Sequence, residues 1–255
     1  MKLLAIAVAL AGIAVPALPG QDLPPWVLEL SRVKRHARES FQNIPNYVCQ
    51  ETVVRSARSG SRGSFRESDT LRMQVASVAG RELLAPKGAK RFEDLDPANY
   101  VDEGVIDTGS FAGLVRNLFV NDSALIGHSS EAQIESRAAL AFDFQMTAFG
   151  SGYNIQSGSV SVAVGLQGTF WVDKESLDLL KIEDHTVDIP RAMSMAAVDT
   201  AIVFAPARIG GNLVLLPKSA ETVVKERNGA EKRNAVQFSA CQAYTSDSVI
   251  DYGAP

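Results

Sequence analysis

The sequence predicts an α+β fold: a mainly antiparallel, strongly curved β-sheet wrapped on an N-terminal helix and a short inserted helix. Three observations carry that expectation. Apolar residues recur every three or four positions in two short segments, around residues 26–41 and 111–119. Elsewhere the alternation has period two, over many runs of strand length. Turn residues separate those runs, and neither an internal repeat nor a linker divides the chain.

The first element is "PPWVLELSRVKRHARESFQNIP", in which Trp26, Leu30, Val33, Ala37 and Phe41 form one apolar stripe. Pro24 and Pro25 precede the helix and Pro45 follows it. Strands come next. Leu71, Met73 and Val75 alternate with Arg72, Gln74 and Ala76, and Phe142, Phe144 and Met146 alternate with Asp143, Gln145 and Thr147. Further runs are "SVSVAVG", "GTFWVD", "LLKIEDHTV", "TAIVFAPARI", "NLVLLPKSAETVVKE" and "AVQFSACQAY". Gly210-Gly211, Asn228-Gly229 and "DKES" at Asp173–Ser176 supply turns, and Ser56–Ser64 reads as an exposed loop.

The first twenty residues, "MKLLAIAVALAGIAVPALPG", have one cation, an apolar run and then small residues with prolines, the pattern of a secretory signal. Residues 1–20 are therefore expected to be a signal peptide, with the mature chain starting between Leu18 and Gln21, and residues 21–255 a single domain of an exported protein, periplasmic or secreted. No later run is apolar and long enough for a transmembrane segment. The mature length of about 235 residues suits one β-rich domain, and 46% hydrophobic content supports a core. A formal charge of -4 without long charged blocks argues against nucleic acid as a partner. The basic cluster Arg32, Lys34, Arg35 and Arg38 reads as a solvated helix face.

"VIDTGSF" (Val105–Phe111) is written like the catalytic loop of an aspartic protease. Phe111, Leu114, Val115, Leu118 and Phe119 then follow at helical spacing, so Asp107, Thr108 and Ser110 fall where side-chain oxygens cap a helix. Protease chemistry needs two carboxylates sharing a proton, and the sequence has one such motif. An aspartic protease-like enzyme using this motif is the remote alternative. His36, His128 and His185 lie far apart in sequence and none has a second His or Cys at ligand spacing, which gives a zinc site no support. In "KIEDHTVD", strand alternation puts Glu183 and His185 on one face and Asp184 and Asp188 on the other. "SRVK" (Ser31–Lys34) matches Ser-x-x-Lys without its companion motifs. No catalytic residues, no metal and no cofactor are expected.

Cys49 and Cys241, the two cysteines of the chain, are expected to form a disulfide. They lie in the first and last strands of an exported chain, on strand faces expected to be partly exposed.

Several phrases resemble a group of uncharacterised secreted proteins of Acidobacteria: "IPNYVCQETVVR", "TGSFAGLVRNLF", "GTFWVDKESLDLLKIE", "VDIP", and "LLPKSAE" before "AVQFSACQAY". The order of elements also resembles the LolA-like half-barrels of periplasmic lipoprotein carriers. That resemblance implies a curved sheet whose cavity holds acyl chains, with lipid or another apolar small molecule as the partner. None of the carriers' gating residues maps onto this sequence.

Two functions stay open: a binding protein for an apolar ligand, and a cell-envelope interaction module with a filled core, its function on exposed loops such as Ser56–Ser64 and its protein partner unknown. For the first, Leu71, Met73, Val75, Phe142, Phe144, Met146, Val160, Val162 and Val164 are expected to line the concave face opposite the helix stripe. Small residues such as Ala163, Gly165 and Ala201 are expected to leave that space open.

Overall fold

The computed structural model describes residues 23–60, 62–78, 81–86, 92, 111–157 and 160–244. Residues 1–20, Asp107, Thr108 and Ser110 lie outside them, so neither the signal peptide nor the capping role is addressed. Helix α1 (Pro25–Gln42) leads into β1 (Tyr47–Ser59), β2 (Arg66–Val78) and β3 (Arg81–Pro86). Helix α2 (Phe111–Phe119), β4 (Leu125–Ile134), β5 (Arg137–Met146), the single turn α3 (Ala148–Ser151) and β6 (Tyr153–Ser157) follow. The chain ends in β7 (Val160–Asp173), β8 (Leu179–Val187), β9 (Met195–Ile209), β10 (Asn212–Glu226) and β11 (Ala230–Ala243).

The described strands make one 11-stranded sheet in the order β3-β2-β1-β11-β10-β9-β8-β7-β5-β4, with β6 paired to β7 beyond the end of β5. Pairings are antiparallel throughout, as period-two alternation in short runs demands. The fold is thus a mostly antiparallel, curved, open sheet with few helices.

One row of side chains crosses the sheet: Phe142, Phe170, Ile182, Ile202, Ala220, Val236, Val53 and Leu71 are successive cross-strand partners from β5 to β2. Except for the partly buried Leu71, all are buried, and Val33 and Ala37 of α1 and Phe111, Val115, Leu118 and Phe119 of α2 join them in one core. Phe170 lies at its centre, stacked on Phe142 at 5.3 Å and met edge-on by Phe119 at 5.1 Å. Each large apolar side chain removed from water here contributes about 1.5–3 kcal/mol. The α1 stripe faces this core as expected, with Leu30 and Phe41 at its margin. Polar contacts hold α1 from outside. Lys34 and Arg38 reach Asp122 at 2.8 and 3.3 Å, and His36 Nε2 lies 2.8 Å from Asp178 Oδ1.

Gly165 and Gly168 serve close approach and do not leave space, whereas Gly127 and Ala201 border an open groove on the outer face. A Cβ on Gly165 would meet Val187 Cγ2 at 2.7 Å and Met146 O at 2.8 Å; one on Gly168 would meet Glu183 O at 2.1 Å. The room expected around Gly165 is already filled. Ser56–Ser64 is a loop only in its second half, where Arg62, Gly63 and Ser64 are exposed outside any strand. Ser56 to Ser59 continue β1, and Ser56 is buried, its hydroxyl accepting from Arg233 Nε at 3.2 Å. Ser56 is paired on both sides, to Arg233 of β11 and Glu67 of β2, so its polar composition belongs to an interior strand.

Cys49 and Cys241 form a disulfide spanning 192 residues of sequence. Their strands are neighbours because β11 returns to β1, and the register shifts there, between Val48 and Gln50, with Ala240 at φ 49°. Cys49 shares the inner face with Glu51 and Val53 and is buried, so the expected exposed face is corrected for it; Cys241 is partly buried. The turn after β7 is closed by Asp173, whose Oδ1 accepts from the N–H groups of Glu175 and Ser176 at 2.9 Å each, while Arg137 Nε holds Oδ2 at 2.9 Å.

Reducing the disulfide, or Cys241→Ser, is expected to lower unfolding free energy by on the order of 4 kcal/mol, read from denaturant melts with and without reductant. The Ser176 N–H first, then the Glu175 N–H and Arg137, hold the Asp173 carboxyl below the usual carboxylate range despite desolvation. The stability it contributes is therefore present above the unfolded carboxyl value and lost as pH falls through the folded one, below about pH 4. Asp173→Asn is expected to flatten that acid limb of a stability–pH curve, at a cost near neutrality of about 1–2 kcal/mol.

Candidate functional site

Strand β10 changes partners along its length. From Ser219 to Lys225 it pairs with β11 (Ser219↔Gln237 to Lys225↔Glu231) and also with β9. Before Pro217 it pairs with β9 alone, out to Asn212↔Ile209. Strand β11 beyond Gln237 stays with β1, through Glu51↔Phe238 to Tyr47↔Ala243. The sheet therefore forks. Pro217 stands at the branch with no N–H to donate, beside a register shift between Pro217 and Ser219.

A cavity of about 350 Å³ lies at this fork. Phe204, Leu215, Leu216 and Pro217 come from one prong, and Tyr47, Ser77 and Glu82, successive partners across β1, β2 and β3, from the other. The end of α1 (Phe41, Gln42), the connection (Ile44, Asn46) and α2 (Phe111, Ala112, Val115, Arg116), with Val120 just beyond it, complete the lining. Two aromatic pairs tie the helices to the prongs: Phe41 meets Phe204 edge-on at 6.2 Å, and Phe111 meets Phe238 at 6.1 Å. Burial, and then the Glu82 carboxylate, push the Tyr47 hydroxyl well above the usual phenol range, against a hydrogen bond with Ser77. It stays protonated at any physiological pH. Gln42, Asn46 and Arg116 are exposed and mark the mouth. An apolar wall with a few convergent polar groups suits a small ligand; no catalytic chemistry follows from these residues.

None of the nine residues expected to line a cavity lines this one. Met73, Phe142, Phe144 and Met146 are buried in the main core, with Leu71 at its edge. Val75 packs with Cys49, Leu84, Ile209 and Leu216 beneath the fork. Val164 lies in a separate cluster with Ile155, Met193, Met195, Val198 and Val224, Val162 at its margin, and Val160 is 54% exposed. Alternation reported which face each residue takes, and the helices decided which part of that face is filled. The missed signal was Pro217 inside a strand-like run.

A second, open groove of about 820 Å³ runs over the outer face past Asp143, Glu183, His185, Asp199 and Glu221. Asp184, which also borders it, is buried while Glu183 and His185 are not, as alternation predicts, but Asp188, expected on the face of Asp184, lies beyond the end of β8. The groove's carboxylates are matched: Thr169 donates to Asp143 at 2.7 Å, Lys225 meets Asp199 at 2.7 Å, Arg233 lies 3.7 Å from Glu221, and Lys181 pairs with Glu183. At its end Leu125 is 78% exposed. Phe149 of α3 is 99% exposed. Among the described residues no cluster of His, Cys, Asp and Glu is arranged to hold a metal, and no helix is long and apolar enough to cross a membrane.

No protein-family model and no curated protein matches the sequence. Among solved structures the chain is similar to a DUF1329 family protein from Desulfovibrio piger, at 12% identity and a TM-score of 0.45, covering 88% of this chain and 94% of that one. It is also similar to a chain of the MucA/MucB complex of Pseudomonas aeruginosa, at 13% identity and a TM-score of 0.27, covering 82% of this chain and 93% of that one. A structure of MucB in complex with MucA(peri) is similar at 10% identity and a TM-score of 0.28, covering 85% of this chain and 99% of that one.

Proposed function

We propose that this is an exported, non-enzymatic binding protein of the LolA-like half-barrel type, holding a small apolar ligand at the fork of its sheet. The observation that carries the proposal is the cavity of about 350 Å³, walled by Phe41, Phe111, Val115, Phe204, Leu215 and Leu216. Each ligand methylene buried against such a wall is worth about 0.8 kcal/mol. Export is supported by the signal pattern of residues 1–20 and by the Cys49–Cys241 disulfide, which persists in oxidising compartments such as a periplasm or the extracellular space. The second proposal, an envelope interaction module, draws on the exposed Phe149 and Leu125.

Titration with the apolar fluorophore 1-N-phenylnaphthylamine tests the site. Saturable binding at low micromolar concentration is expected, weakened about tenfold or more by Leu215→Trp or Ala112→Trp, which fill the fork, and unchanged by Val162→Trp in the separate cluster. Absence of binding by folded, monomeric protein, or indifference to both filling substitutions, would leave the interaction module as the surviving function.

A further inference from the structure

We propose that the ligand is a single-chain amphiphile with an anionic head, its tail in the fork and its head at the mouth against Arg116. This rests on the binding function proposed above and adds the ligand's chemistry to it.

Volume sets the number of chains. About 350 Å³ is near the lower end of the roughly 300–1,000 Å³ that small-molecule sites occupy. Between Cys49, Val75, Leu216 and Phe238, beside the disulfide, the adjoining hollow holds only about 10 Å³, and another of about 140 Å³ borders Phe111, Leu114 and Tyr153. One chain fits such a site and a pair of long chains does not.

Polarity sets the direction and the charge. Inside the cavity the Tyr47 and Ser77 hydroxyls bond each other beside the Glu82 carboxylate, and burying an ion against the aromatic and aliphatic wall is costly, so the tail enters and the head stays at the mouth. The exposed residues at the mouth are Gln42, Asn46 and Arg116. Arg116 is the one cation in the cavity lining among the described residues, and a guanidinium presents paired donors that match a carboxylate or phosphate. The carboxylate of the lining, Glu82, is half-buried on the inner wall beside Tyr47, where it repels an anionic head from entering. A cationic head at the mouth would face Arg116.

Displacement of the fluorophore from the folded protein near pH 8, with each single-chain competitor below its critical micelle concentration and vesicles corrected for the fluorophore they take up without protein, tests this. Dodecanoate, dodecyl phosphate, dodecanol and dodecyltrimethylammonium separate head charge at constant tail, and dioleoylphosphatidylglycerol vesicles supply two chains. Dodecanoate or dodecyl phosphate is expected to compete at about tenfold lower concentration than dodecanol and dodecyltrimethylammonium, the better of the two identifying a carboxylate or a phosphate source. Vesicles should not compete. Arg116→Gln should abolish the advantage of the anions over dodecanol, read as the ratio of competing concentrations within that variant, and Arg116→Lys should keep part of it. Equal competition by dodecanol and both anions, an advantage that survives Arg116→Gln, or displacement by the two-chain lipid overturns this proposal and leaves the binding function standing. Failure of the fluorophore itself to bind overturns both.

Discussion

Strand β11 is shared between two partners, and the rest of the structure depends on how that sharing ends. Over Glu231–Gln237 its two edges are hydrogen-bonded to β10 and β1, which closes the path from the last hairpin back to the first. Past Gln237 it keeps β1 only. A strand with a free edge has unpaired backbone groups to satisfy, and a sheet cannot bend away from a neighbour without giving up the ladder between them. Pro217, with no donor to lose, makes the separation cheap at that point, and the Cys49–Cys241 link holds the other prong together where the register shifts.

The fork also decides where the helices lie. Phe41 and Phe111 reach down to different prongs, onto Phe204 and Phe238, so α1 and α2 roof the gap while their inner turns fill the adjoining concavity. Filled core and cavity are thus neighbours on one face. The difference between them is whether a β-sheet row continues beneath the helix or divides. Where it continues, as from Phe142 to Leu71, aromatic and branched side chains pack to interior density.

Charge is distributed to suit this arrangement. The outer face carries carboxylates in a wide groove, but lysine, arginine or threonine partners meet them, and solvent screens what remains. Contacts from α1 to Asp122 and Asp178 hold that helix by its polar side while its apolar side meets the core. At the fork the charges are few and separated in depth, with Glu82 half-buried inside and Arg116 exposed at the mouth.

The sequence by itself determined the elements: the stripe Trp26–Phe41, the helix from Phe111, the alternation through Phe142–Met146, and the two cysteines in the first and last strands. Those are local properties, set by the 3.6- and 2-residue periods of a single element. It also indicated sides, since alternation placed Glu183 and His185 opposite Asp184. Only the tertiary structure decided which stretches of the inner face are filled. Gly165 could mean a void or a close approach, and the position of Val187 and Met146 O made it the latter. Ser56 could mean a loop or a strand, and pairing with Arg233 across β11 made it a strand. The cavity depends on strands far apart in sequence, because β1 (Tyr47–Ser59) and β10 (Asn212–Glu226) become the two sides of a fork only when β11 joins one and leaves the other.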